Sequence, residues 1–132
     1  MEKDTDITVL VAEDDPTFAS RIIGIIGDIA GLRVVGHASD GERAVDMIRS
    51  HSPAIALLDF QMPKLNGLEV LAEALGLDRP PRCVMLTGND SPEFRRRCLD
   101  AGAYAFLSKS TEVEHLGDLL SRLIEELRGS LR

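Results

Sequence analysis

Residues 54–70 read AIALLDFQMPKLNGLEV, and they decide the fold. Ala54 to Leu58 is an apolar run without polar alternation, ended by the carboxylate of Asp59 and then by the turn residues Met62-Pro63 and Asn66-Gly67. Such a run between turn signals reads as a strand covered on both faces, as happens where helices flank a parallel sheet. A helix then starts at about Gly67, runs to Leu75 and buries Leu68, Leu71 and Leu75. Asp59 therefore stands at the carboxyl end of a buried strand, the edge of an open parallel sheet where ligands bind.

The same pattern recurs on either side. Ile7 to Ala12 is a strand leading into Glu13-Asp14-Asp15. Asp15-Pro16 then gives a cap and a first helical residue for a helix to about Ala30, with Phe18, Ile22, Ile25, Ile26 and Ile29 on one face. Gly24 and Gly27 lie inside that helix, so they read as close packing on the sheet rather than as a phosphate loop. A strand follows from Leu32 to His37, and Ser39 and Asp40 offer caps for a helix to about Ser50. Beyond Asp59, the fourth strand is Arg82 to Leu86 with Thr87 at its tip. Ser91 and Pro92 then open a helix to about Ala101. Ala103 to Ser108 is the fifth strand, ending on Lys109. Thr111 and Glu114 match a capping box for a last helix to about Arg128. Five strands alternating with five helices imply a parallel, doubly wound α/β sheet with helices on both faces.

The 132 residues suit one domain, with a core from about 6 to 128, and are too few for a catalytic domain plus a recognition domain. A net charge of -7 argues against direct nucleic-acid binding. The first apolar run is too short for a membrane span or a signal segment, which points to a cytoplasmic protein with no membrane contact. Cys83 and Cys98 lack metal spacing and read as buried or partly buried reduced thiols.

In a parallel sheet Glu13, Asp14, Asp15, Asp59, Thr87 and Lys109 converge at one edge. Carboxylates packed there repel unless a cation sits among them. An oxygen-only set suits Mg2+, which takes one or two carboxylates and leaves room for phosphate oxygens. Thr87 adds a hydroxyl donor and Lys109 a mobile positive charge, so the set fits phosphoryl transfer with Asp59 as the nucleophile.

Over nearly its whole length the chain resembles the receiver domain of two-component response regulators. The resemblance rests on Glu13-Asp14 after the first strand, LLDFQMPKLNGLEV around Asp59, MLTG with Thr87, and AGAYAFLSK ending in Lys109. It implies a flavodoxin-like fold in which Asp59 accepts a phosphoryl group from a sensor histidine kinase or phosphotransfer protein. It also implies Mg2+ held by Asp14, Asp59 and the backbone carbonyl of Gln61, with Glu13 acting through water. Thr87 and Lys109 would bind the phosphoryl oxygens. Phe106 matches the switch aromatic, which moves inward as Thr87 is drawn to the phosphate. Gln61 and Asn89 match positions that flank the attacking water and tune the lifetime of the phosphoryl group. The flanks of the last helix, with the fourth helix and fifth strand, resemble a surface for a downstream effector, an output domain or a homodimer.

One departure stands out. The family often has proline after the lysine, and here it is Ser110; a non-proline cis bond costs about 2.5 to 4 kcal/mol, so this loop is expected to differ from the common form. That feature and the VVGHASDGERAV stretch are similar to receivers joined to helix-turn-helix output domains, although no such output domain is expected in this chain. Two alternatives remain open: an interaction module that works without phosphate, and a phosphohydrolase of the haloacid-dehalogenase type. The second wants a general-acid Asp two residues after the nucleophile, where this chain has Gln61. In its own right Asp15 reads as a helix cap. His37, His51 and His115 read as surface or structural residues, Tyr104 as packing against a helix, and Arg95 to Arg97 as a solvated helix face.

Overall fold

The computed structural model describes residues 6–129, so the expected outer limits of the domain lie outside the described residues. The chain runs β1 (Ile7–Ala12), α1 (Pro16–Gly27), β2 (Leu32–Ala38), α2 (Gly41–His51), β3 (Ile55–Leu58), α3 (Gly67–Leu75), β4 (Arg82–Thr87), α4 (Pro92–Asp100), β5 (Ala105–Ser108), a 3-10 turn (Val113–His115) and α5 (Leu116–Gly129). The five strands form one parallel sheet in the order β2-β1-β3-β4-β5. The order reverses direction beside β1 and β3, and Asp59 and the acidic residues after β1 stand at that reversal.

Why the strands lack alternation follows from the two cores. Leu10, Ala12, Ala56, Leu58, Cys83, Met85 and Phe106 face one layer with α2, α3 and α4. Val9, Val11, Ile55, Leu57, Val84, Leu86 and Leu107 face the other with α1 and α5. Successive side chains point to opposite faces, and both faces are covered, so β3 is apolar at every position. The polar residue Asp59 appears where that cover ends, at the tip of β3.

Several local expectations are corrected. Helix α1 stops at Gly27, three residues early, with the Asp28 N–H closing on Ile25 and Ile26. A Cβ at Gly24 or Gly27 would meet nothing within 4 Å, so these glycines are exposed and do not pack on the sheet. Leu75 is exposed at 37 %, at the end of α3 rather than in the core. Of the two caps offered for α2, Asp40 is the one that forms, accepting from Arg43 N–H. Thr111 and Glu114 form no capping box; the segment turns through a 3-10 coil whose preceding residue, Glu112, spends its carboxylate elsewhere. A reciprocal capping box forms instead at α3, where Asn66 and Glu69 exchange bonds with each other's backbone N–H at 2.9 Å. Cys83 and Cys98 are free and buried, and burial pushes the Cys83 thiol up to about 12.

Candidate functional site

The backbone ladder continues past the ends of β1 and β3 and sets the acids in place. Glu13 N–H donates to Ala38 O at 2.9 Å and Asp59 N–H to Ala12 O at 3.1 Å, so both residues remain in sheet register after their strands formally end. Carboxylate oxygens of Glu13, Asp14 and Asp59 then lie within 4.8 Å of one another. Glu13 and Asp59 are 1 % and 5 % exposed, whereas Asp14 is open to solvent. Asp15 takes no part in this group. It is the N-cap of α1, accepting from the N–H groups of Thr17 and Phe18.

Lys109 reaches into the group from the tip of β5. Its Nζ is 2.7 Å from Glu13 Oε1 and 3.0 Å from Asp59 Oδ2. The same ammonium lies 4.5 Å from the ring centroid of Phe18 on α1, a cation–π contact that supports it from below. Burial opposes the charge on Lys109, but the bonds to Glu13 and Asp59 outweigh it and hold its pKa above the ordinary lysine range. Burial raises the pKa of Glu13, and the nearby Asp59 adds to that, against the pull of Lys109 and the Asp15 N–H.

Thr87 ends β4 next to Lys109, whose backbone N–H donates to Thr87 O at 2.9 Å. The Thr87 side chain is buried and its Oγ1 has no hydrogen-bond partner. A buried hydroxyl left unbonded costs about 1–3 kcal/mol, so an acceptor is wanted at this spot. Gln61 is exposed, and its N–H approaches Asp59 Oδ1 at 3.4 Å. The Asn89 side chain is exposed and turned to its own loop, where Oδ1 lies 3.5 Å from Ser91 N. Phe106 sits inward on the α4 side, 4 % exposed, edge-on to Phe94 at 6.0 Å and with the Arg95 guanidinium 4.7 Å above its ring.

The loop carrying Gln61 is held tightly. Gly67 N–H donates to Phe60 O at 2.9 Å, and a Cβ at Gly67 would come within 2.4 Å of the Asp59 carbonyl oxygen. Gly41 N–H donates to Pro63 O at 3.0 Å, and a Cβ there would lie 2.1 Å from Leu65 O. Only glycine admits these approaches. Sequence reasoning did not find His37, which donates Nε2–H to the Glu13 carbonyl at 2.7 Å, or Phe18 beneath Lys109. Neither has a local signal, because each acts across strands or layers.

The donor set is all oxygen and suits a hard divalent ion. With all three carboxylates ionised, one ammonium leaves two negative charges uncompensated, and among the described residues no histidine or cysteine joins the group.

Comparison with known proteins agrees with this geometry. The family model described as the response regulator receiver domain matches residues 9–121. The chain is 34 % identical over 109 residues to the probable transcriptional regulatory protein NarL of Mycobacterium tuberculosis, covering 82 % of this chain and 50 % of that one. It is 37 % identical over 103 residues to the putative positive transcription regulator BvgA of Bordetella pertussis, covering 76 % of this chain and 48 % of that one. The chain thus spans about half the length of the curated relatives it matches. The solved signal receiver domain of the putative NarL from Mycobacterium tuberculosis superposes with a TM-score of 0.83 at 28 % identity, covering 91 % of this chain and 97 % of that one.

Proposed function

This chain belongs to the response regulator receiver domain family of two-component systems, and we propose that it is a phosphoacceptor switch in which Asp59 takes the phosphoryl group. One juxtaposition carries the reading. Asp59 is buried at a strand tip with the Lys109 ammonium at 3.0 Å, and beside Lys109 the buried Thr87 hydroxyl has no partner. A phosphoryl group on Asp59 supplies the oxygens that both donors want.

The donor is a phosphohistidine on a sensor histidine kinase or phosphotransfer protein. A carboxylate oxygen of Asp59 attacks phosphorus; the O–P bond forms as the N–P bond breaks, and the imidazole nitrogen leaves with the electron pair. Lys109 passes from the carboxylates to the incoming phosphoryl oxygens, and Thr87 Oγ1–H donates to another. Water later cleaves the acyl phosphate, releasing inorganic phosphate and restoring the carboxylate. Gln61 and Asn89 line the approach of that water and tune the rate. The domain thus assists its own phosphorylation and dephosphorylation and acts on no separate substrate.

Asp14, Asp59 and the Gln61 backbone carbonyl would hold Mg2+, with Glu13 acting through water. When bound there, the ion neutralises charge shared by the carboxylates and the phosphoryl oxygens. Drawing Thr87 toward the phosphoryl group moves the segment before α4 and fixes Phe106 in its inward position, which shifts the population of two conformations. The face made by α4, β5 and α5 passes this shift to a downstream effector, an output domain or a second copy. The described residues form one receiver domain. It acts in the cytoplasm and itself binds neither nucleic acid nor membrane. Among the described residues no helix is long and apolar enough to cross a membrane.

The test is intact mass after incubation with acetyl phosphate, with and without Mg2+, for the wild type and Asp59→Asn. The expected result is a gain of about 80 Da, one phosphoryl group, that needs Mg2+ and is absent from the variant. No adduct at any time, with no binding of beryllofluoride, would overturn the reading and favour a phosphate-independent interaction module.

A further inference from the structure

Ser110, which stands where the family often has proline, is joined through Ser108 to the loop after the neighbouring strand β4. Its Oγ lies 3.0 Å from Ser108 Oγ, and its N–H donates to the same atom at 3.3 Å. Ser108 Oγ in turn donates to Asp90 Oδ2 at 3.1 Å. A carboxylate only accepts, so the direction is set: Ser110 donates to Ser108, and Ser108 to Asp90. Ser108 is 1 % exposed, so the middle of this relay is sheltered from competing water.

We infer that Asp90, Ser108 and Ser110 are positioning residues, whose relay sets the separation between the two phosphoryl-binding groups, Lys109 and Thr87. The inference rests on the reading of Asp59 as phosphoacceptor. Ser108 and Ser110 are the immediate neighbours of Lys109, and Asp90 lies three residues beyond Thr87. The relay therefore ties the chain on both sides of Lys109 to the loop that Thr87 opens. It lies beside the backbone bond from Lys109 N to Thr87 O. Behind it, the Glu112 carboxylate accepts from Ser108 N–H at 2.9 Å and pairs with Arg95, whose Nη1 also bonds Phe106 O at 3.2 Å.

The peptide bond after Lys109 is trans, and among the described residues none is cis. A proline at 110 would have neither the N–H nor the hydroxyl, so both bonds to Ser108 would go. Where a ring would stiffen this loop through φ, the serine holds it by hydrogen bonds to a second loop. Holding charged groups in place before the reaction is what phosphoryl transfer asks of its protein. The groups that would hold Mg2+ lie on other loops, and Lys109 competes with the ion for Glu13 and Asp59 rather than holding it, so loosening the relay weakens phosphoryl binding without weakening metal binding.

The experiment uses the full chain and the variants Ser110→Ala, Asp90→Ala and the double, with Ser110→Thr and Asp90→Asn as conservative partners. It measures beryllofluoride affinity at saturating Mg2+ by calorimetry, Mg2+ affinity alone, and the acetyl phosphate rate, all well below each protein's melting midpoint. Each alanine variant should weaken beryllofluoride and slow phosphorylation by about 3- to 10-fold, the change expected for one ordinary hydrogen bond. Mg2+ affinity should fall by no more than about twofold, and the double variant should be no worse than the worse single, because the links are in series. Ser110→Thr and Asp90→Asn, which keep a hydroxyl and an acceptor oxygen, should recover most of the loss. Wild-type beryllofluoride affinity in both alanine variants would overturn the inference while leaving the phosphoacceptor reading intact. A parallel loss of Mg2+ affinity would also overturn it, as general loosening of the site. A wild type that binds no beryllofluoride and takes no phosphoryl group overturns both.

Discussion

Replacing Asp59 by asparagine should stabilise the metal-free protein and destabilise it relative to wild type once Mg2+ is present. With an effective dielectric near 20, Glu13 and Asp59 at no more than 4.8 Å repel by about 3 kcal/mol or more. Lys109 at 3.0 Å attracts Asp59 by about 5–6 kcal/mol on the same footing. Asp14 adds repulsion, reduced because it is exposed. These terms nearly cancel, so burial decides the sign. Asp59 is 5 % exposed; its carboxylate loses hydration that an amide does not need, and the amide oxygen still accepts from Lys109. The net gain is about 1 kcal/mol, which raises the melting midpoint of a domain this size by about 3–5 °C. Mg2+ at a hundred times its dissociation constant adds about 2.7 kcal/mol to a protein that binds it. Asparagine removes a ligand and a charge, so the order of stability should invert. Urea unfolding followed by circular dichroism, in chelator and in Mg2+, measures both states. Parallel responses of the two proteins to Mg2+, or a variant less stable in chelator, would refute the argument that these carboxylates form a cation site.

Gly24→Ala should stabilise the fold by about 1 kcal/mol in urea unfolding, because Gly24 is exposed within α1 and an added Cβ meets nothing. Thr87→Val removes a buried hydroxyl that has no partner, so thermal unfolding should show a more stable resting protein by about 1 kcal/mol. The same variant should lose beryllofluoride affinity. Glu112 has its pKa held below the usual 4.5, first by the Ser108 N–H and then, against burial, by Arg95. A depressed carboxyl contributes stability that is present above 4.5 and is lost as pH falls through its folded value. Glu112→Gln should therefore be less stable than wild type at neutral pH by about 1 kcal/mol, and the gap should narrow on acidification below 4.5 in urea melts.

Much of this molecule was legible because burial on both faces leaves a plain mark. Ile55 to Leu58 is apolar at every position since alternate residues serve two different cores, and the change to Asp59 marks where the helices stop covering the strand. Caps that act within one turn, such as Asp15 and Ser91, were readable for the same reason: the bond spans two or three residues. Misreadings came where a side chain had a distant competitor. Thr111 and Glu114 carry the letters of a capping box, yet the turn before α5 is organised by Glu112 bonding Ser108 and pairing with Arg95. Gly24 and Gly27 looked like packing contacts because helical spacing says which face a residue is on but not what stands opposite it.

The chain's residue order alone set five strands alternating with helices and the carboxylates, threonine and lysine at the strand tips, since periodicity and strand ends are local properties. Which of those residues meet, and how, was decided only in three dimensions. Lys109 grips Glu13 and Asp59 together, Asp15 turns away to cap a helix, Thr87 is left with an unbonded hydroxyl, and Ser110 is tied through Ser108 to Asp90. Contacts between residues as far apart in the chain as Glu13 and Lys109 depend on sheet order and side-chain direction, and pairing at that range leaves no period in the sequence to read.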